Sequence, residues 1–129
     1  MIKAIIFDLD NTLLDFMSMK SSSINAAVNG MIEAGLKLNS ERAKEEIFKI
    51  YENKGYEYQD VLTEFVKTHC GNVDYKILAG GIVEYKRAKE KSLKLYPDVA
   101  KTLITLSKMG LKIAILSDAP TREAWTRLY

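Results

Sequence analysis

Cysteine, proline, tryptophan and histidine are all scarce in this chain of 129 residues. The one cysteine, Cys70, excludes a disulfide within the chain, and such thiol-poor sequences are typical of a reducing cytosol. No apolar run approaches the ~18 residues that a membrane-spanning helix needs. Met1-Ile2-Lys3 leads directly into an apolar run, without the pattern of a secretory signal. We therefore expect a cytoplasmic protein with no membrane partner.

An excess of one sign of charge is missing as well. Lysine and arginine number 19 against 17 acidic residues, which gives a net charge of +2. That value is too near zero to indicate binding to nucleic acid, and no basic stripe alternates with aromatic residues. The densest basic cluster, Lys86 to Lys94, contains Glu90 and is typical of a solvated helix face. The composition thus predicts an ordinary globular protein of about one domain with no nucleic-acid partner.

Two apolar runs have the length of β-strands, Ile2–Phe7 and Leu111–Leu116. Neither alternates between apolar and polar residues, which predicts strands buried on both faces of a parallel sheet. Turn and cap residues near Pro97 and Pro120 predict short helices on either side of the second run.

Helical periodicity fills most of the chain between the two strands. Apolar residues recur at spacings of three and four in four stretches, and the Gly80-Gly81 pair weakens the fourth by roughly 1 kcal/mol per glycine. The first stretch follows Ser21–Ser23, and the second begins at the N-cap Ser40. The third runs from Tyr58 to Gly71 and the fourth from Asp74 to Lys91. This order predicts an α/β fold, a Rossmann-like parallel sheet of which two strands are present. We place residues 1–15 and 93–129 in the core and residues 16–92 in an inserted helical cap.

Two aspartates directly follow the first strand, at the place where α/β folds commonly build an active site. In a loop that leaves a strand, Asp8 and Asp10 can converge on one point. One can then act as a nucleophile and the other as a general acid and base. A carboxylate that attacks a phosphoryl group needs a cation to offset the repulsion, and aspartate oxygens suit Mg²⁺. Thr12 and Ser117 add hydroxyl donors.

Simpler interpretations exist for each of these residues. The two aspartates could be turn or cap residues, and Ser117 could cap a helix. A calcium loop is excluded, because Leu13 and Met19 stand where glycine and glutamate are required.

Other polar and aromatic groups have ordinary interpretations too. His69 beside Cys70 is too small a group for a zinc site. The tyrosines Tyr51, Tyr56 and Tyr58 are typical of packing within the cap, with a substrate-lining role as the alternative.

Two segments resemble the haloacid dehalogenase-like hydrolase superfamily. The run Phe7-Asp8-Leu9-Asp10-Asn11-Thr12-Leu13-Leu14 is similar to its first signature, and Ile115-Leu116-Ser117-Asp118-Ala119 resembles the second. The stretch from Tyr96 to Gly110 is similar to the helix that precedes the second signature. The resemblance implies an Mg²⁺-dependent phosphatase that acts on a small phosphorylated metabolite through an aspartyl-phosphate.

The resemblance also implies a role for each residue. Asp8 would be the nucleophile and, with Asp10, would hold the Mg²⁺. Asp10 would protonate the leaving group and then activate water. The phosphate-binding residues would be Asn11, Thr12, Ser117 and Asp118.

The sequence departs from the family pattern after Asp118. The family's third signature is a lysine and its fourth an acidic pair, but this stretch contains no lysine and one acid, Glu123. We therefore expect the N-terminal portion of a longer enzyme, with catalysis by this portion alone in doubt. The alternative is a catalytically incomplete module that self-associates or binds a partner through exposed sheet edges.

Overall fold

The computed structural model describes residues 1–129 and confirms the α/β class, with two strands and six helices. The strands are β1 (Ala4–Phe7) and β2 (Lys112–Ile115). The helices are α1 (Phe16–Glu33), α2 (Ser40–Lys54), α3 (Val61–Cys70), α4 (Tyr75–Ser92), α5 (Val99–Lys108) and α6 (Thr121–Leu128). No helix combines the length and the apolar character needed to cross a bilayer.

The chain forms two compact units. One contains Met1–Met19 and Leu93–Tyr129, and the other contains Lys20–Ser92. We call them the strand unit and the helical unit. The assignment of residues 16–92 to a cap domain stays a prediction.

The strand unit is built on a two-stranded parallel sheet. Its register pairs Ala4 with Lys112 and Phe7 with Ile115. Buried leucines Leu9, Leu13 and Leu14 pack beside the sheet, together with Phe7, Val99 and Ile115.

The prediction that both faces of the strands are buried is wrong. Exposed and half-buried residues alternate along β1 and β2, and Ile6 and Leu116 are 67% and 71% exposed. The apolar cluster covers one face only, so the side chains that point the other way meet solvent.

Two short segments of the strand unit meet beside the loop that follows β1. Leu14 and Leu95 form an antiparallel bridge. The Asp15 N–H donates to the Lys94 carbonyl at 3.0 Å, and the Tyr96 N–H donates to the Leu13 carbonyl at 3.0 Å. We call this pairing of residues 13–15 with 94–96 the clasp. It lies where the chain leaves the strand unit and where it returns.

The helical unit has its own core, as the periodicity predicted. Large fully buried side chains include Tyr51, Phe65 and Ile47. Tyr51 stacks on Tyr56 with ring centroids 5.6 Å apart. The buried Lys20 ammonium donates to the Tyr85 hydroxyl at 2.8 Å and lies 4.9 Å from the centroid of the Tyr51 ring. Within this unit, α1 and α4 approach closely where Gly30 faces Gly80.

Three predicted helix starts are wrong. Helix α1 begins at Phe16, well before Ser21–Ser23, because the Asn11 and Asp15 side-chain oxygens accept from first-turn N–H groups. The N-cap of α2 is Asn39, with Ser40 as the first helical residue. Helix α3 begins at Val61, since Tyr58 lies in a turn closed by its N–H to the Gly55 carbonyl at 3.1 Å.

Candidate active site

The parallel register brings the two predicted signatures to the same edge of the sheet. The Leu116 N–H donates to the Phe7 carbonyl at 2.8 Å, which ends the pairing. Asp8 follows Phe7 and Ser117 follows Leu116, so both residues leave the carboxyl ends of adjacent parallel strands. That edge is where open α/β sheets bind ligands.

The loop Asp8–Asp15 curls around the main chain of the buried residue Leu9. Leu9 is 1% exposed, and its carbonyl accepts from the N–H groups of Leu13 and Leu14 at 3.0 and 3.2 Å. Asn11 has a φ of 59°, in the left-handed region that asparagine tolerates better than most residues. Its side-chain oxygen accepts from the Met17 N–H at 3.2 Å, which joins the loop to α1. The loop is therefore held by its own backbone and by the start of α1.

Asp8 is exposed at the start of this loop. Its Oδ1 accepts from the Leu9 N–H at 3.0 Å, and its Oδ2 accepts from the Thr12 hydroxyl at 3.4 Å. A carboxylate oriented by a neighbouring N–H and hydroxyl, yet open to solvent, can approach a phosphoryl group without moving far.

Asp10 is held by a residue that sequence reasoning missed. The Arg127 Nη1 donates to Asp10 Oδ2 at 2.6 Å, and the arginine side chain is 2% exposed. The two residues are 117 positions apart, so no local spacing reveals the pair. The one feature of the sequence that could have indicated this pair was an arginine among the apolar residues of the last helix.

The predicted phosphate-binding residues already make local bonds. The Ser117 Oγ accepts from the Ala119 N–H at 3.1 Å, which forms a turn after β2 instead of capping α6. A hydroxyl keeps its own hydrogen for donation, and the Asn11 amide keeps its NH₂ group. Asp118 is exposed next to Ser117. The structure thus places all six predicted site residues in the strand unit, and their roles stay predictions.

A groove of about 440 Å³ borders Ser117. Its lining is mostly apolar and comes from the end of β2, the following turn and α6: Ile115, Leu116, Ala119, Thr121, Ala124, Trp125 and Leu128.

The loop after β1 carries oxygen donors of the kind that Mg²⁺ requires. Asp8 supplies a carboxylate oxygen and Asp10 a main-chain carbonyl from one loop, and this ion is often held by one or two carboxylates together with substrate phosphate and water. No group of three or more His, Cys, Asp or Glu side chains is arranged to hold a metal. The chemistry of the site therefore suits Mg²⁺ and gives it few protein ligands.

Comparison with known proteins supplies the family. The model of the haloacid dehalogenase-like hydrolases matches residues 2–129. The glyceraldehyde 3-phosphate phosphatase of Methanocaldococcus jannaschii is 38% identical over 99% of this chain and 56% of the relative. The enzyme of the same name from Methanothermobacter thermautotrophicus is 33% identical over 99% of this chain and 57% of the relative. The chain thus spans slightly more than half the length of these curated relatives.

A solved structure agrees at the level of the fold. The protein described as a predicted phosphoglycolate phosphatase from Haemophilus somnus aligns with a TM-score of 0.52 at 23% identity, over 98% of this chain and 56% of that one. The parallel register, the acidic loop at the end of β1 and the match over residues 2–129 lead to one conclusion. The chain belongs to the haloacid dehalogenase-like hydrolase family.

Proposed function

We propose that this chain carries the phosphoryl-transfer end of an Mg²⁺-dependent phosphomonoester phosphatase that works through an aspartyl-phosphate. One observation carries the proposal: Asp8 and Ser117 leave adjacent parallel strands at the same sheet edge, and Asp10 lies in the same loop. Residues 16–92 would form its cap, and the lone cysteine favours a cytoplasmic location.

The reaction has two steps. An Asp8 carboxylate oxygen attacks phosphorus, the bond to the leaving oxygen breaks, and Asp10 gives that oxygen a proton. Water then attacks the acyl phosphate while Asp10 takes its proton, which regenerates Asp8 and releases inorganic phosphate. The hydroxyls of Thr12 and Ser117 donate to phosphoryl oxygens. Mg²⁺, held by the Asp8 carboxylate and the Asp10 main-chain carbonyl, would offset the negative charge that Asp8 and phosphate bring together.

The relatives support a proposal for the substrate class. The curated relatives named above are glyceraldehyde 3-phosphate phosphatases, so a small phosphorylated metabolite is proposed, and glyceraldehyde 3-phosphate is the first compound to assay. Because the stretch after Asp118 contains no lysine, we expect hydrolysis by these 129 residues to be slow.

A slow reaction is best followed through its covalent intermediate. The chain is mixed with p-nitrophenyl phosphate and Mg²⁺, quenched in acid, and its intact mass is measured. We expect a phosphoryl adduct that maps to Asp8, that accumulates in Asp10→Asn, and that disappears with EDTA or in Asp8→Asn. Asp98→Asn is the matched control, since Asp98 is exposed at a φ of 65° that asparagine also adopts. An adduct that persists in Asp8→Asn overturns the assignment of the nucleophile.

A second proposal is self-association, which the exposed apolar side chains of the strand unit favour. Ile6, Leu116 and Trp125 are 67%, 71% and 59% exposed, and each strand of the two-stranded sheet has one unpaired edge. Such edges and apolar patches promote pairing between chains. Light scattering over a concentration series should show the average mass rising with concentration. A constant monomer mass would contradict this proposal and leave the phosphatase proposal unaffected.

A further inference from the structure

The burial of Arg127 is unusual for its chemistry. Arginine side chains are almost never fully buried unless they are paired, yet this one is 2% exposed. Arg122, five positions earlier on the same helix α6, is 82% exposed. The difference between two arginines of one helix indicates that Arg127 is held by specific contacts.

One contact is the ion pair with Asp10, at 2.6 Å between Nη1 and Oδ2. The other is aromatic: the Arg127 guanidinium carbon lies 4.7 Å from the centroid of the Phe16 ring. Phe16 is 5% exposed and begins α1. The guanidinium thus contacts a carboxylate and an aromatic ring, two groups that attract a planar cation.

Asp10 needs such support because of its position. It lies in a loop beyond the end of β1, where the sheet no longer fixes the backbone. The buried Leu9 fixes the main chain on one side of Asp10, but a main-chain anchor leaves the side-chain torsions of Asp10 free to rotate. The Arg127 contact restricts that freedom, since the carboxylate must keep an oxygen 2.6 Å from Nη1.

We infer that Arg127 is a positioning residue that fixes the orientation of the Asp10 carboxylate. The inference rests on the proposed function, in which Asp10 transfers the proton, and it places Arg127 outside contact with substrate. Phe16, the first residue of α1, also contacts the guanidinium. Arg127 therefore joins α6 to the acidic loop and to the start of α1.

The test is a spectroscopic measurement on the 129-residue chain. Three-bond couplings measured by NMR report whether Asp10 occupies a single χ1 rotamer. We expect one rotamer in the wild-type chain, averaging over several in Arg127→Met, and partial recovery in Arg127→Lys, which restores the charge without the planar fork. Arg122→Met is the matched control and should leave Asp10 unchanged. A folded Arg127→Met chain with a single Asp10 rotamer overturns the inference.

A measurement on the wild-type chain covers the case in which Arg127→Met does not fold. The Arg127 Nη–H signals should be resolved and should show coupling across the hydrogen bond to the Asp10 carboxylate carbon. Signals that are averaged by free rotation would also overturn the inference.

Kinetics supplies the readout that a purely structural residue would not change. With p-nitrophenyl phosphate, Arg127→Met should lower kcat by on the order of 10-fold and leave KM within about twofold of the wild-type value. The loss is smaller than the ~10²–10⁴-fold that proton transfer by a side chain typically contributes, because Asp10 itself remains. An unchanged kcat overturns the positioning role. Wild-type turnover below detection would agree with the slow hydrolysis expected of these 129 residues. The phosphoryl adduct on Asp8 then tests the proposed function, and the rotamer comparison by itself decides the orientation of Asp10.

Discussion

The glycine contact between α1 and α4 gives a stability prediction that can be worked out from distances. A Cβ atom added to Gly30 would lie 2.5 Å from the Gly80 carbonyl oxygen, and one added to Gly80 would lie 2.7 Å from the Gly30 carbonyl oxygen. Ordinary contacts of this kind are about 3.5 Å. In both variants the obstacle is backbone of the facing helix, which cannot rotate away, so the two helices must separate by a large fraction of an ångström.

The net effect combines two opposing terms. Overpacking costs about 1–3 kcal/mol, and an obstacle of backbone atoms at 2.5 or 2.7 Å puts these variants in the upper half of that range, while alanine in place of glycine inside a helix gains about 1 kcal/mol. We therefore expect Gly30→Ala and Gly80→Ala each to lower the free energy of unfolding by about 1–2 kcal/mol. For a chain of this length the melting temperature should fall by roughly 3–10 °C. Because either substitution separates the same two helices, the double variant should lose less than the sum of the two.

The neighbouring Gly81 provides the control. A Cβ added there would meet the Met31 Cγ at 2.8 Å and Sδ at 3.1 Å, and a flexible thioether side chain can move aside. Gly81→Ala should therefore be neutral or stabilising by up to ~1 kcal/mol. Urea and thermal unfolding followed by circular dichroism measure all four variants. Stabilisation in Gly30→Ala or Gly80→Ala equal to that in Gly81→Ala would refute the close backbone approach.

Two further variants test other features of the helical unit. Burial raises the pKa of Tyr51 above its ordinary value near 10, so the folded chain keeps the phenol protonated while the unfolded chain ionises. This contribution to stability is complete below pH 10 and is lost as the pH rises above 10, by about 1.4 kcal/mol per pH unit. In Tyr51→Phe the melting temperature should therefore fall less steeply with pH between pH 9 and pH 11. Tyr75→Phe, at a side chain that is 75% exposed, should leave this pH dependence unchanged. Asn39→Ala should cost about 1 kcal/mol because its Oδ1 accepts from two N–H groups at the start of α2, and Ser40→Ala should cost less; equal losses in chemical unfolding would contradict the cap assignment.

The elements and their order were predictable because they depend on local pattern. Apolar periodicity located the helices of the helical unit, and the two apolar runs located β1 and β2. The pattern also placed Asp8 and Ser117 directly after a strand, but only the family resemblance implied that the two strands are parallel neighbours with their carboxyl ends at one edge.

The remaining features depend on contacts between distant residues or on choices among similar signals. Three serines before an apolar stretch look like a helix start, but the side-chain oxygens of Asn11 and Asp15 accept from the N–H groups of Met17 and Ser18, so α1 begins earlier. Arg127 could not be assigned to Asp10, because the pairing requires both the register of the strands and the direction of α6. The exposure of Ile6 depends on which face of the sheet is covered, and that is a property of tertiary packing.

The clasp has a consequence for how such chains can diversify. Residues 13–15 and 94–96 are tied together by the two main-chain hydrogen bonds that make up the Leu14–Leu95 bridge, and these bonds involve no side chain. The stretch between these segments is therefore held at both ends, and an exchange limited to Lys20–Ser92 keeps Phe16, Met17 and the loop Asp8–Asp15 in place. A chimera that takes residues 20–92 from a relative would test whether the sheet edge with Asp8, Asp10 and Ser117 folds independently of the helical segment inserted into it.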